Sequence, residues 1–141
     1  MEEAVGPSGA DVMREFVRSS PFAGKLGISI VEIEDDRATL ELPFDASLAT
    51  VGEVVHGGAI AALADTAATV AAWSSADVAA IRNGATISLT LEYVAAASGA
   101  DLHAHAHVNK RGKSLVFCEV DVLAGEMLVA KALATYRFAL T

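Results

Sequence analysis

The run VVHGGAIAALADTAATVAAW, residues 54–73, is apolar on nearly every side when wound at 3.6 residues per turn, and it carries a carboxylate, Asp65, in its middle. It predicts one long helix that must be covered all round, partly by a sheet and partly by other strands or a second subunit. Upstream, residues 1–10 read as a flexible leader, and Asp11 can cap a short helix to about Ser19 on an apolar stripe of Val12, Phe16 and Val17, ended by Pro21. Alternation over residues 26–35 predicts a strand. Asp35-Asp36 turns it back into a partner over 37–42, and 44–55 is a loop leading to the helix.

After the helix come four strand-like runs, near 81–94, 101–109, 114–123 and 127–138. Their joins are short and contain Ser98-Gly99, Lys110-Arg111-Gly112-Lys113 and Ala124-Gly125-Glu126, which favours antiparallel neighbours over parallel crossovers. The chain thus reads as hairpin, buried helix and antiparallel sheet, with no linker and no internal repeat. Its 141 residues suit one domain, divided as leader and short helix over 1–20 and a single unit over 21–141.

Composition narrows the function. Hydrophobic residues make up 53% and charged residues 20%, so a packed core is affordable in sequence terms. A formal net charge of −8 argues against a general nucleic-acid or membrane-surface binder, leaving room only for a local basic patch. The acidic start lacks a signal-peptide core, and the helix is too interrupted to span a bilayer, which gives a cytoplasmic expectation. The one cysteine, Cys118, sits in an apolar strand and reads as a packed thiol.

Asp65 leaves three readings open: a structural carboxylate satisfied by buried donors, a working group tuned by its surroundings, or a residue on a helix face that meets water. His56-Gly57-Gly58 stands at the helix start, where free backbone N–H groups and the helix dipole favour negative charge and glycine admits a close ligand. That is the chemistry of an oxyanion site for acyl transfer.

The pattern HGGxxxxxxD on such a helix resembles the hotdog-fold acyl-CoA thioesterases of the phenylacetate-degradation (PaaI-like) type. The likeness runs from about Gly24 to the C-terminus and includes TISLTLEYVAAASGADLHAHAHV, RGKSLVF and AGEMLVAKALATYRF. It implies an α+β hotdog fold, an antiparallel sheet wrapped around one long central helix. It further implies Asp65 as general base or nucleophile, Gly57 as oxyanion donor with Gly58 beside it, and His56 near the thioester carbonyl. Thr69 and Thr86 stand where relatives place hydroxyls near the attacking water. Thr50 occupies a position where relatives often carry Asn or Gln, a departure that bears on rate and substrate preference. No cofactor is implied, since coenzyme A is part of the substrate.

Gly57 and Asp65 are eight residues apart, about 12 Å along one helix and about 80° around it. The simplest arrangement sets Asp65 of one subunit against Gly57 of its partner, which gives the expectation of a homodimer with shared sites, two such dimers pairing into a homotetramer. The basic turn Lys110, Arg111 and Lys113, with Arg82 as a weaker candidate, suits the phosphates of coenzyme A. His103, His105 and His107 alternate with apolar residues and read as one solvent or subunit face, with no acidic ligand nearby and no metal expected. The alternative function is a non-catalytic acyl-CoA binding or sensing module, and a hydratase on the same fold is weaker still.

Overall fold

The computed structural model describes residues 5–141; the first four residues of the expected leader lie outside them. Helix α1 spans Gly9–Ser19 and begins earlier than expected. Its N-cap is Ser8 and not Asp11; Asp11 sits at the third helical position and closes a reciprocal capping box with Ser8. Ser20 then ends α1 and caps a second short helix, α2 (Pro21–Leu26), with Pro21 in its first turn. Proline thus starts a helix here as well as ending one, and the expected strand is correspondingly shortened. Gly27, in the left-handed region at φ 84, turns the chain out of α2.

Strands β1 (Ser29–Glu34) and β2 (Arg37–Leu42) form the expected hairpin. The segment expected as a plain loop folds into a 3₁₀ turn and a small hairpin of β3 (Ala49–Val51) and β4 (Val54–Val55), which delivers the chain to helix α3 (Gly57–Ser74). Strands β5 (Ile81–Tyr93), β6 (Leu102–Arg111), β7 (Leu115–Ala124) and β8 (Met127–Leu140) complete a six-stranded, wholly antiparallel sheet in the order β1-β2-β6-β7-β8-β5.

One expected pairing fails. β5 and β6 are not neighbours: β5 lies at the far edge beside β8, while β6 pairs with β2. Their connection is long enough to cross the sheet, and it is tied down on the way. Val55 N–H donates to Ala97 O, and Gly99 N–H donates to Glu53 O. The two shorter joins do make hairpins, β6–β7 and β7–β8.

The sheet curls over α3. Leu40, Leu42, Leu102, Val116, Val120 and Val122 are fully buried between them, against Leu63, Ala64, Ala67, Ala71 and their neighbours. Small side chains on α3 permit that close approach. At the C-terminal end α1 covers the helix so tightly that a Cβ on Gly9 would stand 1.7 Å from the Trp73 carbonyl oxygen. One stripe stays open: Gly58, Ala61, Ala62, Asp65 and Thr66, at helical spacing, are exposed or half-buried.

Candidate active site

The site is built on α3 and the edge strand beside it. Asp65, half-buried on the open stripe, accepts a hydrogen bond at Oδ1 from the Thr86 hydroxyl of β5, at 2.7 Å. Oδ2 has no hydrogen-bond partner among the described residues, and no buried polar side-chain atom there lacks one. So one carboxylate oxygen is fixed and the other faces outward. Asp65 is neither wholly buried nor simply solvated. Thr69, one turn further on, is buried on the same side.

At the start of α3 each amide can be followed in turn. His56 caps the helix: its Nδ1 accepts the Gly58 N–H at 2.7 Å, and its carbonyl takes the N–H groups of Ala59 and Ile60. A ring nitrogen that accepts is unprotonated, so neutral His56 carries its proton on Nε2. Gly57 N–H is left without a hydrogen-bond partner among the described residues. The amide expected as the oxyanion donor is therefore the free one. Thr50 lies exposed on β3, whose pairing with β4 adjoins His56.

Tyr93, at the end of β5, adds a contact the sequence did not single out. Its hydroxyl donates to Gly57 O at 2.8 Å, and a Cβ on Gly57 would lie 3.3 Å from its ring. Trp73 and Tyr136 form a second unforeseen pair, with the indole N–H donating to the phenolic oxygen at 2.9 Å. The signal for it was Gly84, an isolated glycine inside a strand, where a Cβ would stand 2.5 Å from the Tyr136 ring.

The structure thus brings Asp65, Thr69 and Thr86 together, and separately His56, Gly57 and Gly58. The two groups share one unbroken helix, so they stand about 12 Å apart within a single chain. The basic turn belongs to neither. Arg111 is held by Asp36, with bonds of 2.8 and 3.2 Å to Oδ1, and reaches the Ala71 carbonyl oxygen at 3.5 Å, near the C-terminal end of α3. Lys110 and Lys113 are exposed, as is Arg82 at the start of β5. Arg111 and Lys113 border a cleft of about 340 Å³ with Asp77, Ile81, Phe138 and Leu140.

Elsewhere, Cys118 is buried beside Ala68, and burial pushes its thiol up to about 11. The three histidines of β6 do point away from α3, yet acidic side chains stand beside them, contrary to expectation. His107 lies 3.4 Å from Glu119 and His103 lies 3.9 Å from Glu41, because the sheet order sets β2 and β7 on either side. Among the described residues no group of three or more His, Cys, Asp and Glu side chains is placed to hold a metal ion. No helix of the described residues is long and apolar enough to cross a membrane.

Residues 52–131, more than half of the chain, match the thioesterase superfamily. The chain belongs to that family. It is 32% identical over 117 residues to the Halobacterium salinarum protein named "Putative esterase VNG_1336C", covering 81% of this chain and 77% of that protein. A thioesterase family protein from Silicibacter pomeroyi superposes with a TM-score of 0.88 at 24% identity, over 95% of this chain and 100% of that one. The E. coli PaaI protein from the phenylacetic acid degradation operon superposes with a TM-score of 0.77 at 20% identity, over 89% and 88% of the two chains. The fold is the hotdog fold, and thioester hydrolysis is the general activity that family membership assigns.

Proposed function

We propose that the protein is a cytoplasmic hydrolase of acyl-CoA thioesters, working as a homodimer with two shared sites. The observation that carries this reading is the separation of the free Gly57 N–H from the free Asp65 oxygen on one helix, joined by an open stripe of small residues. A second copy laid along that stripe brings Asp65 of one chain to Gly57 of the other. The β5 edge favours the same contact: it is a 13-residue edge strand with exposed Ile87 and Tyr93, followed by exposed Val94, and pairing would cover it.

In that site the thioester carbonyl oxygen lies at Gly57 N–H, where the helix dipole and the outward Nε2–H of His56 favour the developing negative charge. Asp65, steadied by Thr86, either takes a proton from water as it attacks the carbonyl carbon or attacks directly to form an anhydride that water then cleaves. Either route breaks the C–S bond and releases the acid and the CoA thiol. With the two copies of α3 antiparallel, the Ala71 level of one helix lies about 9 Å beyond the partner's Gly57. The exposed Lys110 and Lys113 flank the nearby Arg111 turn and suit the CoA phosphates, with Gly58 beside the thioester and Arg82 further along β5. Two such dimers would pair as a tetramer.

The test is release of CoA thiol from aryl, short-chain and medium-chain acyl-CoAs by wild type and Asp65→Asn. We expect turnover by wild type and a loss of about a hundredfold or more in the variant, with the dimer intact. Mixed dimers of Asp65→Asn and Gly57→Ala should regain activity, since one native site forms per heterodimer. Acyl-CoA binding without turnover would instead favour a non-catalytic binding module, the reading that Thr50 in place of an amide side chain supports.

A further inference from the structure

Asp65 is not the only residue of α3 gripped by the β5–β8 pair. Thr86 and Tyr136 are direct cross-strand partners. Thr86 donates to Asp65, and the Tyr136 oxygen accepts from Trp73, eight residues further along α3. One cross-strand pair therefore holds the helix at two levels, about 12 Å apart and about 80° around the axis. Within the packing that covers α3, two bonds at different angles restrict its rotation more finely than either one alone.

The surroundings hold Tyr136 in turn. It is 5% exposed. Its ring stands edge-on to Phe138 at 5.2 Å, and Phe138 stands edge-on to Trp73 at 5.0 Å. Gly84, two residues before Thr86, leaves the space the ring fills: a Cβ there would lie 2.6 Å from the phenolic oxygen. Burial raises the phenol's pKa, the Trp73 hydrogen bond lowers it in part, and the Asp65 charge raises it further, so the hydroxyl is neutral.

We propose that Tyr136 is a positioning residue for Asp65. By holding Trp73 it sets the fine rotation of the packed α3 against β5, so that Asp65 keeps Oδ1 on Thr86 and presents Oδ2 to the open stripe. The role rests on the thioesterase reading above, in which Oδ2 is the working atom.

The experiment compares wild type with Tyr136→Phe, which removes only the oxygen, and Gly84→Ala, which displaces the ring. Trp73 is the sole tryptophan, so its emission reports loss of the bond directly. We expect the emission to shift in both variants, the dimer to persist, and the Asp65 carboxyl ¹³C resonance to move. For acyl-CoA hydrolysis, kcat should fall on the order of ten- to a hundredfold with KM within about twofold. Trp73→Phe should lower kcat alike, and the double variant Trp73→Phe/Tyr136→Phe should lose no more than either. Shifted emission with unchanged kcat and an unmoved Asp65 resonance would overturn the proposal and leave Tyr136 merely structural. A wild type that hydrolyses no acyl-CoA would end the acyl-CoA reading alone. The Asp65 resonance in Tyr136→Phe then decides this one, supporting it by moving and overturning it by staying.

Discussion

The two ends of α3 differ in what holds them. At the C-terminal end almost every group is engaged. Asp36 N–H donates to the Ser74 and Ser75 hydroxyls at 2.9 and 3.1 Å, Arg111 clasps the Asp36 carboxylate, and Gly9 of α1 lies against the Trp73 carbonyl. Asp36 adopts φ 60 to serve this junction, a left-handed conformation uncommon outside glycine. At the N-terminal end one amide is free, the first residues are glycines, and exposed Tyr93 is the neighbour. A helix anchored at one end can leave the other end unsatisfied, and an unsatisfied, positively polarised end is what an oxyanion needs. Stability is concentrated where chemistry is absent.

The same substitution at the two ends should therefore give opposite results. Gly9→Ala forces α1 off the Trp73 carbonyl, since backbone cannot yield by more than an ångström, and uncovers Met13 and Val17. A stability loss of about 3 kcal/mol is expected, with whatever remains folded still turning over. Gly57→Ala meets only the exposed Tyr93 ring, which can shift by a few tenths of an ångström. Its stability should stay within about 1 kcal/mol of wild type, while turnover falls about ten- to a hundredfold because the methyl crowds the thioester's approach. Denaturant melts and acyl-CoA turnover on both variants check this. Equal stability losses at the two positions would erase the contrast.

Between the ends, the middle of α3 packs on Cys118, whose thiol is raised from 9.0 to about 11, chiefly by burial, with the Arg111 cation working weakly against it. A folded pKa above the unfolded one favours the protonated thiol in the fold. The contribution is complete below pH 9 and is lost as pH rises toward 11, on the order of 2–3 kcal/mol in total. Cys118→Ala lacks it. The variant's stability deficit, read from urea midpoints, should shrink between pH 8 and pH 11. A deficit constant over that range would show that the thiol does not titrate on unfolding.

What could be read from the chain followed the range of the forces involved. The span of α3, the β1–β2 hairpin and the two tight joins rest on local periodicity and turn residues, and they stand as expected. The place of β5 did not follow, because its neighbour is chosen by how the sheet closes over α3 and not by the length of its join. Ser20 serves two helices at once, which a reading of one cap per helix misses. The same divide runs through the site. His56, Gly57, Gly58 and Asp65 are adjacent on one element and carried a motif. Thr86 was placed only by family resemblance, and Tyr136, 63 residues from Trp73, only by the fold. Arg111 was grouped with its lysine neighbours by charge, whereas its partner is Asp36, 75 residues away.

That last case sharpens the comparison at its smallest scale, because neighbouring cations in one turn should behave differently. Arg111 belongs to the anchored end: its side chain is 24% exposed and two of its nitrogens bond Asp36. Arg111→Met should cost about 1–3 kcal/mol of stability. Asp36→Asn in the same chain, which keeps a residue suited to φ 60, should add little, since the same pair of bonds is already lost. KM for acyl-CoA should move less than twofold. Lys113 is exposed at the rim of the adjoining cleft. Lys113→Ala should leave stability within about 0.5 kcal/mol and raise KM about two- to fivefold, an effect that fades at high salt as a screened phosphate contact must. Reversed outcomes, with KM following Arg111 and stability following Lys113, would mean that the Asp36 clasp opens when substrate arrives and that the anchored end takes part in binding.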